Sequence, residues 1–133
     1  MTVRVLVVDD EPDVEALFRQ QFRREVRQGQ YLLDFALSGE AALDKLDGCI
    51  GEQIILLVSD INMPGMNGLD LIPKVKARRP DLPVFMISAY GDPERVQTAI
   101  ERGASKFLTK PVDFPKLRRD IMAVKADAMR RGA

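Results

Sequence analysis

The chain has 133 residues, 46% of them hydrophobic, and its 20 basic and 20 acidic side chains cancel to a formal charge of zero. That length and apolar content suit one domain with a real core and exclude wholesale disorder. Neutrality removes any global field for nucleic acid or an anionic membrane, and the absence of histidine excludes His-ligated metals, His-based triads and a self-contained phosphohistidine step.

In chain order, Val3–Val8, "VRVLVV", is the first β-branched run, and it ends on Asp9-Asp10-Glu11. Val14, Leu17, Phe18 and Phe22 then recur at three- or four-residue intervals and predict a helix. Tyr31–Leu37 alternates only in part and reads as an edge strand with one wet face. Ser38 caps a helix running through Leu46. Ile54–Ser59, "IILLVS", looks like a buried strand, yet it runs into an acid, Asp60, and a loop holding Pro64, Gly65 and Gly68. A third helix follows, with one conflict. Begun at Asn67, it would enclose Pro73 and lose the hydrogen bond to the Leu69 carbonyl, so a bend there, or a start only just before Pro73, is expected. Val84–Ser88 is the fourth strand. Asp92-Pro93-Glu94 reads as cap, first-turn proline and first-turn acid of a helix with Val96 and Ile100 on its apolar side and Gly103 at its end. Lys106–Thr109 is the fifth strand and runs out at Lys110. Asp113 caps a last helix with the stripe Leu117, Ile121, Val124 and Ala128.

Strand and helix thus alternate five times, which predicts one α/β domain over residues 1–133, a doubly wound parallel sheet with right-handed crossovers. In such sheets, sites form beyond the carboxyl ends of the strands, where the strand order reverses. In the flavodoxin-like order 2-1-3-4-5, the first and third strands are neighbours at that point. Asp9, Asp10 and Asp60 then converge, Ser88 flanks them, and Lys110 reaches across. Clustered carboxylates repel, and a hard cation such as Mg²⁺ resolves the repulsion with oxygen ligands. The Asn62 backbone carbonyl is expected to complete the protein's share. Metal, ammonium and hydroxyl together suit a phosphoryl group, with Asp60 as its nucleophilic acceptor.

Four ordered motifs carry a family resemblance: "VLVVDDEP", "SDINMPGMNGLDL", "VFMISAYGD" and "GASKFLTKPV". Together they span about the whole chain, which resembles the receiver domain of two-component response regulators. The resemblance implies Asp9 and Asp10 as metal acids, Asp60 as phosphoacceptor, Ser88 as switch hydroxyl, Lys110 as the site lysine and a cis bond between Lys110 and Pro111. It also implies Phe107 as the switch aromatic, turning inward as Ser88 moves toward the phosphoryl group. The face of the fourth helix, fifth strand and fifth helix is remodelled as a result. Asn62 and Tyr90 are the candidates for setting phosphate lifetime.

The expected partners are a sensor histidine kinase or phosphotransfer protein as donor in trans, a downstream protein or output domain on the remodelled face, and a second copy in a possible homodimer. Neither nucleic acid nor membrane is expected to bind directly: no apolar run nears the roughly 20 residues of a membrane helix. One cysteine, Cys49, and acids too early for a secretory signal point to the cytoplasm. The chain is not expected to be an enzyme beyond Mg²⁺-dependent self-phosphorylation and autodephosphorylation. The alternatives are the amino-terminal receiver of a longer regulator with an output domain, and a Mg²⁺-dependent aspartyl-phosphate hydrolase. The hydrolase would need a second acid beside Asp60 and a cap segment, and neither is evident.

Overall fold

The computed structural model describes residues 2–89 and 91–132. Five parallel strands, β1 (Arg4–Val8), β2 (Leu32–Ala36), β3 (Ile54–Asp60), β4 (Val84–Ser88) and β5 (Lys106–Thr109), form one sheet in the order β2-β1-β3-β4-β5. The helices are α1 (Pro12–Gln21), α2 (Arg23–Arg27), α3 (Gly39–Asp47), α4 (Gly68–Arg78), α5 (Pro93–Arg102) and α6 (Phe114–Arg130), with a 3-10 turn at Gly51–Gln53. The doubly wound topology and its strand order match the expectation.

Alternation along the strands builds two cores. In β1, Leu6 and Val8 turn to the side holding Leu43 of α3, Ile72 and Val75 of α4, and Ala99 of α5. Val5 and Val7 turn to the other side, with Phe18 of α1, Phe22, and Leu117 and Ile121 of α6. Each of the larger side chains among these, Val, Leu, Ile or Phe, stabilises the fold by about 1.5–3 kcal/mol on full burial. Every residue of β3 is buried, as a continuous apolar run requires of a central parallel strand. Its acid is therefore held at the buried end of a rigid element. The register between β1 and β3 steps once, with Arg4 opposite Ile54 but Val5 opposite Leu56.

The predicted caps are present. Ser38 accepts the Ala41 N–H at 3.1 Å, Asp92 that of Arg95 at 2.9 Å, and Asp113 that of Lys116 at 3.0 Å; each such cap is worth about 1 kcal/mol. Gly103 ends α5 at φ +114°, a left-handed conformation that side chains with a Cβ rarely adopt.

Three details differ from the sequence reading. The first helical pattern is divided at Phe22, whose backbone leaves helical geometry (φ −109°, ψ 16°). Its ring is wholly buried against Phe18, Tyr31 and Phe114. On α5, Ala99 is the buried residue and Ile100 is exposed, because the helix turns a narrow small-residue edge to the sheet. Finally, of the two alternatives for α4 the late start fails: the helix begins at Gly68, where Asn67 accepts the Asp70 N–H at 2.9 Å, and Pro73 lies inside it. The Leu69 carbonyl that Pro73 cannot satisfy accepts from the Arg102 guanidinium of α5 at 2.8 Å.

Candidate functional site

Strand ends position the acids. Beyond β1, the Asp9 N–H donates to the Ala36 carbonyl at 3.0 Å, holding that residue in line with the sheet. Asp60 closes β3 opposite Ile87, and the next N–H, of Ile61, donates to the Ile87 carbonyl at 3.0 Å. Carboxylate oxygens of Asp9, Asp10 and Asp60 consequently lie within 4.8 Å of one another. Asp9 and Asp60 are 8% and 6% exposed, and Asp10 is half-buried.

Lys110 arrives from the other side of the switch point. Its N–H donates to the Ser88 carbonyl at 2.9 Å, and a cis peptide joins it to Pro111. The ammonium donates to Asp60 Oδ2 at 3.4 Å. The other oxygen, Oδ1, is buried without a hydrogen-bond partner among the described residues. One ammonium faces three carboxylates. Asp9 records the imbalance: its pKa is pushed up from 3.8 to about 6, first by burial and further by the charges of Asp60 and Asp10. The Glu11 N–H, 2.9 Å from Asp9 Oδ1, and the Lys110 charge pull the other way. An orphaned buried carboxylate oxygen inside an all-oxygen, under-neutralised cluster fits a hard divalent cation.

The loop after Asp60 is fastened rather than loose. Ile61 and Met63 are buried, and the Gly68 N–H donates to the Ile61 carbonyl at 2.8 Å. A Cβ on Gly68 would stand 2.5 Å from the Asp60 carbonyl oxygen and 2.8 Å from Ile61 Cα, so only glycine allows α4 to start there. Asn62 projects from this loop and is exposed; its Oδ1 accepts from the Arg95 guanidinium of α5 at 3.2 Å. Sequence reasoning missed Arg95, since nothing in its local sequence separates it from other helix-surface arginines.

Ser88 is fully buried at the end of β4, opposite Thr109. Phe107 stands opposite Met86, half-buried and packed against the core under α3, α4 and α5. Tyr90 lies outside the described residues. A cavity of about 310 Å³ opens beside the acids; Asp9, Asp60 and Lys110 line its polar end, and Phe18, Val112 and Phe114 its apolar end.

The geometry is that of an acid-lined switch point. The sequence matches the family model for the response regulator receiver domain over residues 5–122. The chain belongs to that family. As a receiver it is a signalling domain of two-component systems. It is 36% identical over 115 residues to the response regulator protein PilR of Pseudomonas aeruginosa, covering 86% of this chain and 24% of that protein. Identity to the response regulator RppA of Synechocystis is 32% over 115 residues, 86% of this chain and 47% of that one. The receiver thus spans less than half the length of either relative. Among solved structures, the CheY-like receiver domain from Methanospirillum hungatei superposes with a TM-score of 0.84 at 26% identity, covering 100% of both chains. The CheX-CheY-BeF3-Mg complex from Borrelia burgdorferi gives 0.80 at 31% identity, covering 92% of this chain and 88% of that one. Among the described residues of this receiver, no helix is long and apolar enough to cross a membrane.

Proposed function

We propose that the chain, residues 1–133, is a cytoplasmic phosphorylation switch that takes a phosphoryl group from a histidine kinase or phosphotransfer protein onto Asp60. The observation that carries this reading is the state of the Asp60 carboxylate: one oxygen on Lys110, the other buried and unpartnered, inside a three-acid cluster. A carboxylate oxygen attacks the phosphorus of the donor's phosphohistidine. The new P–O bond forms as the P–N bond breaks, and the released imidazole takes up a proton. Asp9, Asp10, Asp60 and the Asn62 carbonyl would hold Mg²⁺. When bound, the ion supplies charge stabilisation to the phosphoryl oxygens.

Lys110 offers fixed positive charge to the same group, and Ser88 a hydroxyl donor. The phosphoryl group adds about −1.5 to −2 charges, and drawing Ser88 toward it biases a two-state element in which Phe107 moves inward. The face of α5, β5 and α6 then presents a changed surface to a downstream protein, an output domain or a second copy. The lengths of PilR and RppA favour a receiver working within a longer regulator.

Incubation with acetyl phosphate and Mg²⁺, read by intact mass, tests the reading. A stable gain of one phosphoryl group, lost in Asp60→Asn, is expected. Turnover of the donor without accumulation would point to the hydrolase instead, and no reaction at all to a module that does not take phosphate.

A further inference from the structure

The link between Asn62 and Arg95 joins the loop that follows Asp60 to the first turn of α5. Its geometry is more constrained than that of a lone surface contact. Asp92 caps α5 by accepting the Arg95 N–H on Oδ1 at 2.9 Å, and its Oδ2 lies 3.6 Å from Arg95 Nε. One edge of the guanidinium thus faces the carboxylate that caps its own helix, and NH1 donates to Asn62 Oδ1 at 3.2 Å. Asn62 lies two residues beyond Asp60, and both ends of its short loop are fixed by Ile61 backbone hydrogen bonds. The side chain amide thus sits close in sequence to the acceptor, on a loop tied down at both ends.

We infer that Arg95 is a positioning residue that, by engaging the Asn62 side-chain amide oxygen, lengthens the life of the phosphoryl group on Asp60. The inference rests on the phosphoacceptor reading of Asp60. Loss of the group needs a water: its oxygen bonds to phosphorus as the bond from phosphorus to the Asp60 oxygen breaks. Asp60 leaves as a carboxylate, and the water's proton passes to phosphate or solvent. An amide oxygen on the loop that carries on from the acceptor can orient that water by accepting its hydrogen. In this receiver, a charge-assisted hydrogen bond, the stronger kind, occupies one of the two lone pairs of Asn62 Oδ1 and aims the amide at α5. While the bond holds, the amide is turned toward Arg95 and orients the water less well. The same contact ties phosphoryl lifetime to α5, one of the elements of the proposed output face, so a partner that drew Arg95 away would shorten the signal it reads.

The test loads the full chain with acetyl phosphate and Mg²⁺, removes the donor, and follows decay by intact mass in four proteins: the native chain, Arg95→Ala, Asn62→Ala and the double variant. Asn62→Ala keeps its backbone carbonyl. Arg95→Ala is expected to speed decay by about five-fold, the equivalent of one hydrogen bond, with loading unchanged. The acceleration should vanish in the Asn62→Ala background, and Arg95→Lys, which can still donate, should restore most of the native lifetime. Equal acceleration in both backgrounds, no change, or slower decay in Arg95→Ala would overturn the inference while leaving Asp60 as acceptor. Failure of every protein to gain a phosphoryl group would overturn both readings.

Discussion

Ser88 and Phe107 point to the same face of the sheet from adjacent strands. Thr109 is paired with Ser88 and Phe107 with Met86, and residues two apart on a strand share a face. Only one diagonal step separates hydroxyl from ring, on the side covered by α3, α4 and α5. Ser88→Ala is therefore expected to keep phosphoryl uptake on Asp60 while uncoupling it from α5 and β5. Amide chemical shifts recorded with beryllofluoride and Mg²⁺ check this: changes should persist around Asp60 and fade along residues 93–109.

Lys110 should act with opposite signs on metal and phosphoryl group. Removing its charge in Lys110→Met relieves repulsion of a bound cation, so Mg²⁺ affinity should rise. Its side chain is 38% exposed, and solvent screening holds that gain to ~1 kcal/mol, or about five-fold. Phosphoryl uptake, which loses a positive partner, should fall. Calorimetric Mg²⁺ titration beside acetyl phosphate kinetics separates the two effects.

Asp9 predicts the pH dependence. Its folded pKa is raised to about 6 from 3.8, so its contribution to stability is fully present below the ordinary carboxyl value and is lost as pH rises through about 6. Without metal, Asp9→Asn should therefore stabilise the domain at pH 7 by roughly 1–3 kcal/mol and remove that slope from denaturation curves. Metal reverses the preference, since it needs the ionised carboxylate. Mg²⁺ affinity should drop as pH falls below about 6, and binding near that pH should release a proton, measurable by calorimetry in buffers of different ionisation enthalpy.

Arg102 replaces the hydrogen bond that Pro73 removes from the Leu69 carbonyl. Arg102→Ala should cost about 1 kcal/mol in urea unfolding. In a Pro73→Ala background the carbonyl regains a donor within α4, and the same substitution should cost much less. Additive effects would mean that the arginine acts elsewhere, for example through its 3.5 Å approach to Asp70.

The parts of this receiver readable from sequence are those where one residue's position follows from its own strand. Asp9, Asp60, Ser88 and Lys110 each follow an apolar run, and the switch-point rule converts those ends into a shared place. What was not readable depends on two distant residues meeting through long, exposed side chains. Arg95 reaches Asn62 and Arg102 reaches Leu69 across 33 positions each, and an arginine on a polar helix face carries no mark of such a partner. The division at Phe22 was equally hidden, because the stripe through Phe18 and Phe22 keeps helical spacing although the backbone between them and α2 does not.

The hydrogen bond from the Gly68 N–H to the Ile61 carbonyl closes the intervening segment into a ring whose two ends are anchored next to Asp60. Pro64 and Gly65, at the exposed crest of that ring, hold no part of the acid cluster. The crest can therefore lengthen, shorten or change its chemistry while the Asp60 carboxylate keeps its place among the acids. The domain has at this spot a place where new recognition can be grafted within a few residues of the acid cluster without displacing it.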